Sequence, residues 1–172
     1  MPKEALMDFR VGDPVVHWSH GIGEIIGLEE RTMAGKNMLY YVVKIREFTV
    51  WVPADDKVLS RLRVPTSERK FKKLFAILSG PGESLSDDRL VRKTQLHNGL
   101  ADGKVETLCH VIRDLTSYAL RKQLNENDKD VLERARNLLV GEWKFSLSIP
   151  RADAEIELGR LLGQATVNTV SV

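Results

Sequence analysis

Two histidines three residues apart, His17 and His20, and a cysteine followed by a histidine, Cys109 and His110, are the side chains whose types could support metal ligation or nucleophilic attack. The histidine pair lies in VVHWSHGIG, where a strand-like run meets a glycine turn, so the two rings need not converge, and the only cysteine is far away in the sequence. Packing or hydrogen bonding is their expected role. Cys109 falls on an apolar stripe with Val105, Leu108, Ile112, Leu115 and Ala119, which makes it a small buried hydrophobe rather than a thiolate. His110 points to a different face. The adjacent acids Glu29–Glu30 and Asp55–Asp56 occupy strand or turn positions, where a solvated carboxylate is the ordinary outcome. No phosphate loop, nucleophile elbow or His-Glu-x-x-His is present, and Gly21-Ile22-Gly23 is too short for a dinucleotide fingerprint. The sequence therefore predicts a binding protein and not an enzyme, with no metal and no cofactor.

The elements that must carry such a binding role fall into two halves with different periods. From Pro14 to about Val64 the runs PVVHW, GEIIGLEERTM, NMLYYVVKI, FTVWVP and KVLSRLRV are rich in β-branched and aromatic residues and are joined by brief connections. Five short strands in so little chain predict a strongly bent barrel of the SH3 or Tudor kind, because an open sheet would leave long unpaired edges. Gly21 and Gly23 supply the corner where a short strand swings into a long bent one. After RVPTSERK the period lengthens: Phe71, Leu74, Phe75 and Leu78 recur at helical spacing, with Thr66 or Ser67 to cap the helix and SGPG to stop it. Further helices are expected over Asp88–His97, around the Cys109 stripe, after NENDKD, and from Ala152 to Leu162, with Trp143 on an apolar face. The predicted class is α+β, with a small SH3/Tudor-like β-barrel over 8–64, a bundle of about five helices over 66–163 and a loosely attached tail over 164–172.

At 172 residues, 42% hydrophobic and 29% charged, the chain is long enough and apolar enough to bury a core without disulfides. A single cysteine and an N-terminus without a signal-like apolar run predict a cytoplasmic protein. Charges interrupt every hydrophobic segment well short of the roughly 20 residues that span a bilayer, so no membrane partner is expected. Net charge is zero over residues 1–64, +4 over 65–123 and −2 over 124–172, making the middle of the chain its basic part. A solvated helical surface and a phosphate-facing patch fit that distribution equally well.

The segments FRVGDPVVHWSHGIGEIIGLEERTMAGK, YYVVKI and FTVWVP resemble the opening module of the CarD/CdnL family of bacterial RNA polymerase-binding transcription factors. LADGKVETLCHVIRDL and LNENDKDVLERARNLLVGEW are similar to the helical domain of that family, so the resemblance runs in order from about Phe9 to Leu162. It implies that the barrel docks on the RNA polymerase β-subunit while the helical domain touches promoter DNA at the upstream edge of the transcription bubble, together modulating open-complex stability. Arg31 falls on the arginine that family members direct at the polymerase, with Thr32 and Met33 beside it on the same strand end. That strand could add to the partner's sheet. Trp51 stands where some relatives carry a second contacting arginine; an exposed interface aromatic and a buried barrel side chain are both open for it.

On the DNA side the resemblance places Arg89 where relatives present a tryptophan wedge, and Arg92 and Lys129 at basic positions near phosphate, with Lys93 as a helper. Loss of the tryptophan leaves an alternative, a polymerase-binding adaptor without the wedge function. A KOW-like RNA-contact module is a further alternative, disfavoured by the neutral barrel half. A monomer is expected.

Overall fold

The computed structural model describes residues 9–170, with side chains to Gln164; residue 8 and the last two residues of the expected tail, 171–172, lie outside the described residues. The chain divides between Pro65 and Thr66 into two compact units.

The first unit is an antiparallel sheet of β1 (Pro14–His17), β2 (Gly21–Met33), β3 (Lys36–Ile45), β4 (Phe48–Pro53) and β5 (Leu62–Arg63), in the order β4-β3-β2-β1-β5. One core cluster takes Val15, Ile25, Val43, Val52 and Leu62 from all five strands, so the sheet curls around its own inner face. The β1–β2 corner depends on two glycines. Gly21 has φ +88°, and a Cβ on Gly23 would lie 2.7 Å from both the Lys44 carbonyl oxygen and Ile45 Cγ1. A bulge between Ile25 and Gly27 then bends β2 on its way to the β2–β3 hairpin. That hairpin turns through Ala34 and Gly35, both with positive φ, the two-residue geometry that matches strand twist.

The expected fifth strand, KVLSRLRV, is mostly a single 3-10 turn, Val58–Ser60, and only Leu62 and Arg63 pair with β1. Local side-chain bonds win over the ladder here. Asp55 accepts from the Lys57 N–H at 2.9 Å and from Arg61 at 2.8 Å, and Ser60 Oγ donates to the Lys57 carbonyl.

His17 is buried at the end of β1, and its Nδ1 accepts from the backbone N–H groups of Ser19 and His20. Burial, helped by the neighbouring His20, pushes its pKa down to about 4. A ring that must accept two N–H groups at Nδ1 carries its proton on Nε2, which makes His17 a structural acceptor.

The second unit packs α1 (Glu68–Leu78), α2 (Arg89–Ala101), α3 (Val105–Ala119), α4 (Glu126–Leu147) and α5 (Arg151–Val170). Ser67 caps α1 by accepting from the Lys70 N–H, while Thr66 turns to Glu142 of α4 and donates to it through both N–H and Oγ1, at 2.9 and 2.7 Å. The helices close on one core, in which Trp143 is fully buried against Phe71 and Phe75, with ring centroids 5.3 and 5.0 Å away. Each such aromatic pair adds about 0.5–1.5 kcal/mol beyond the area it buries. Cys109 is buried in the same core and its thiol is pushed up to about 12, mainly by desolvation, which favours the protonated form.

α5 runs eight residues beyond the Leu162 at which the sequence pattern stops it, and 164–170, expected as a loose tail, is helical backbone. GQATVNTV contains no proline, its β-branched residues cost only tenths of a kcal/mol each, and a helix already nucleated propagates through them.

Two outcomes follow from the barrel. Gly23→Ala should lower the stability of the unit by about 1–3 kcal/mol in urea titration, because the backbone oxygen 2.7 Å away cannot yield as a side chain would. For His17 the folded pKa, about 4, lies below the ordinary 6.5, so its stabilising contribution is complete above pH 6.5 and is lost as pH falls toward 4. NMR titration of the ring should give a midpoint near 4; a midpoint near 6.5 would contradict the buried acceptor role.

Candidate functional site

On the outer face of the first unit, register alone assembles a cluster. Glu29, Arg31 and Met33 of β2 pair with Tyr40, Met38 and Lys36 of β3, and Tyr40 and Val42 pair in turn with Pro53 and Trp51 of β4. The period of two puts these side chains on the side opposite the core. Gly27 has no side chain in the row it shares with Val42 and Trp51, and the indole crosses β3 so that Nε1 donates to Glu29 Oε2 at 2.8 Å. Arg31 Nε donates to the same oxygen at 3.2 Å, and the guanidinium lies over the Trp51 ring, 4.4 Å from its centroid. Val42 and Tyr40, which belong to neither core, are buried beneath this layer at 5% and 9% exposure.

The interactions among these three side chains orient them without hiding them. Arg31 is 48% and Glu29 47% exposed, so their ion pair is worth only about 0–1 kcal/mol, and the cation–π contact adds about as much. Among the described residues only Nε of Arg31 is engaged, which leaves its terminal nitrogens to a partner. Met33 is exposed and accepts a weak bond from Tyr40, and Thr32 donates to Asn37 across the hairpin. Along the other side of β2, β1 pairs only with residues 21–24, so among the described residues Gly27–Met33 presents an unpaired strand edge.

Of the two open roles for Trp51, the structure has the exposed one, at 38%. Glu29, expected as a solvated acid, is the residue that joins Arg31 to Trp51. The i, i+2 spacing of Glu29 and Arg31 on one strand face was a sequence signal for their pairing; the bond to Trp51 depends on strand pairing twenty-two residues away.

In the second unit the four basic candidates separate. Arg89 is the first residue of α2 and is exposed, Lys93 is exposed one turn on, and Lys129 is exposed in the first turn of α4 with a loose partner in Glu126 at 3.3 Å. Arg92, expected at phosphate, is the correction: it is 3% exposed and committed inside the protein. Its Nε and Nη2 donate to the fully buried Asp128, Nη1 donates to the Ser86 and Asp87 carbonyls and the Tyr118 hydroxyl, and its guanidinium lies over the Tyr118 ring. The helical period explains this: Arg92 and Leu96 form the inward stripe of α2, and Arg89 and Lys93 flank it. Asp128 also closes the α4 capping box with Asn125, so one carboxylate holds the cap and the arginine together.

Sequence reasoning also missed an apolar tip. Leu90 and Val91, in the first turn of α2, are 76% and 50% exposed, beside Arg89. Lys122 pairs with Asp87 just before that helix and holds the Asp87 carboxyl below the usual carboxylate range. A hydrophobic point with cations around it suits a surface that meets both apolar base or sugar atoms and phosphate.

Comparison with known proteins decides the family. Residues 9–67 match the family described as CarD-like/TRCF RID domain, and residues 73–159 match the CarD C-terminal domain. The chain belongs to the CarD-like family. It is also 31% identical over 140 residues to the putative transcription factor YdeB of Bacillus subtilis (strain 168), covering 78% of this chain and 89% of that protein. CarD-like proteins are transcription factors associated with RNA polymerase, and the five-stranded sheet followed by five helices agrees with the RID and C-terminal domains of the family. Among the described residues no helix is long and apolar enough to cross a membrane.

The Arg92–Asp128 pair has a measurable signature. Removing one partner, as in Arg92→Met, strands a buried charge and should cost about 3–5 kcal/mol by urea denaturation. Arg92→Met with Asp128→Leu should cost clearly less than the two single changes together. Additive losses would show that the residues do not act as a pair.

Proposed function

We propose that this CarD-like protein bridges RNA polymerase and promoter DNA, its barrel docking on the β-subunit and its helical unit contacting DNA at the upstream edge of the melted region. The observation that carries this reading is the Arg31–Trp51–Glu29 cluster, exposed and oriented on the sheet face next to the unpaired β2 edge. Tryptophan and arginine dominate binding energy at protein interfaces, and a free strand edge offers backbone hydrogen bonds to a partner's sheet. Thr32 and Met33 extend the contact along the same strand end.

On the DNA side the reading assigns phosphate contacts to Arg89, Lys93 and Lys129, and gives Arg92 the task of holding α2 and α4 in place beneath them. Leu90, beside Arg89, supplies the apolar contact that an arginine cannot. Contacts of this kind position the protein without reading sequence, so binding should weaken steeply with salt. A protein bound more tightly to the open complex than to the closed one shifts their equilibrium by its differential affinity, about 1.4 kcal/mol per tenfold, with no covalent step.

The test is affinity for purified RNA polymerase. Arg31→Glu should weaken binding about 30-fold, the effect of losing a hot-spot side chain of roughly 2 kcal/mol, and Trp51→Ala should weaken it comparably. Unchanged affinity in both variants would remove the contact from this face. Among variants that keep polymerase binding, Lys129→Ala or Arg89→Ala should change open-complex lifetime severalfold relative to wild type. A wild-type protein that binds polymerase and leaves that lifetime untouched would be an adaptor instead.

A further inference from the structure

Beyond the clamp formed by Arg92 and Asp128, α2 and α4 line a half-open groove of about 270 Å³. Lys93, His97 and Leu100 line it from α2 at i, i+4 and i+7, and Asn127, Asp130, Val131 and Arg134 line it from one stripe of α4. Leu100 and Val131 are half-buried against the core and supply the apolar surface, while Lys93, His97, Asp130 and Arg134 are exposed and Asn127 is half-buried.

The composition of this groove discriminates among ligands. A site for bare phosphate has no use for the apolar surface of Leu100 and Val131 or for a hydrogen-bond-accepting carboxylate. A purely apolar ligand would have to desolvate Lys93, Asp130 and Arg134. A nucleotide uses most of this lining: cations for the phosphate, aliphatic surface for the face of the base, and a carboxylate and an amide for the base edge. The volume lies just below the roughly 300–1,000 Å³ of pockets for drug-sized ligands, a scale that suits one nucleotide and not a base pair. Only an unpaired base can offer its face and its Watson–Crick edge together.

We propose that the α2–α4 groove holds one unpaired nucleotide of a DNA strand, with its phosphate against Lys93 and Arg134, its base on Leu100 and Val131, and its edge at Asp130. This rests on the reading that the helical unit contacts promoter DNA, and extends it from duplex phosphate to a single-stranded residue beside the duplex. Asp130 accepts hydrogen bonds and donates none, so it favours guanine, with two adjacent donors, and disfavours thymine, whose one N–H lies between two carbonyls.

The experiment is fluorescence anisotropy of the full chain with a fully paired duplex and with the same duplex carrying a single-stranded arm of guanine or thymine next to the junction. The guanine-armed DNA should bind about tenfold more tightly than the duplex. Arg134→Ala should abolish that preference with little effect on duplex affinity, and Asp130→Asn should level guanine against thymine. Lys129→Ala, outside the groove lining, should weaken armed and paired DNA alike. Equal wild-type affinity for armed and paired DNA would overturn the groove proposal and leave the DNA reading standing. Failure to bind either DNA, with polymerase binding intact, would overturn the DNA reading and the groove proposal with it. A parallel titration with dGMP separates sources: tight, Arg134-dependent dGMP binding without any preference for armed DNA would replace the strand with a free nucleotide.

Discussion

A guanidinium and a carboxylate removed from water must satisfy each other almost completely, and in the helical unit the Arg92–Asp128 pair meets that demand. Nearly every polar atom of the two side chains has a partner: Asp128 binds Arg92 twice over and the Asn125 N–H, and Arg92 reaches the Ser86 and Asp87 carbonyls and Tyr118. Such a pair adds little net stability compared with a well-packed apolar alternative, but it is demanding in geometry. It fixes the first turn of α2, the last turn of α3 and the first turn of α4 at one point. The exposed residues of that region, Arg89, Leu90, Lys93 and Lys129, take their spacing from it, and so does the groove that opens beyond.

The sheet unit solves a related problem with weaker forces. Its inner face is a compact aliphatic and aromatic core, and its outer face carries a second, thinner layer in which Trp51, Glu29 and Arg31 cover Val42 and Tyr40. Each contact in that layer is worth about 1 kcal/mol or less, enough to orient half-exposed side chains without consuming their binding capacity. A partner that replaces solvent over this layer meets groups already arranged, which reduces the ordering entropy it must overcome. On the proposed reading the two units divide the work, one anchoring on polymerase and the other sensing DNA.

Much of this was legible in the sequence. Alternation of β-branched and aromatic residues marked four of the five strands, and the apolar stripes of α1, α3 and α4 put Phe71, Cys109 and Trp143 in the core where they are found. Two failures were local and one was tertiary. KVLSRLRV has strand composition, yet Asp55, Lys57 and Ser60 close a turn within it. The segment after Leu162 lacks an apolar stripe, yet the helix continues because nothing stops it. The resemblance places Arg92 near DNA phosphate, yet the side chain is buried, because the carboxylate that binds it lies thirty-six residues away on another helix.

By itself, then, the sequence determined the order and kind of most elements, the division into a sheet unit and a helical unit, and the apolar stripes that build the two cores. These are properties of spacing along one strand or helix, set by periods of 2 and 3.6 residues that any segment carries within itself. Only the tertiary structure decided which charges are free to meet a partner. Glu29 joins Trp51 from another strand, Asp128 takes Arg92 out of solvent, and Leu90 is left without cover. Each outcome depends on what packing brings within about 3–4 Å from distant parts of the chain, because hydrogen bonding and desolvation act over that range and not along the sequence.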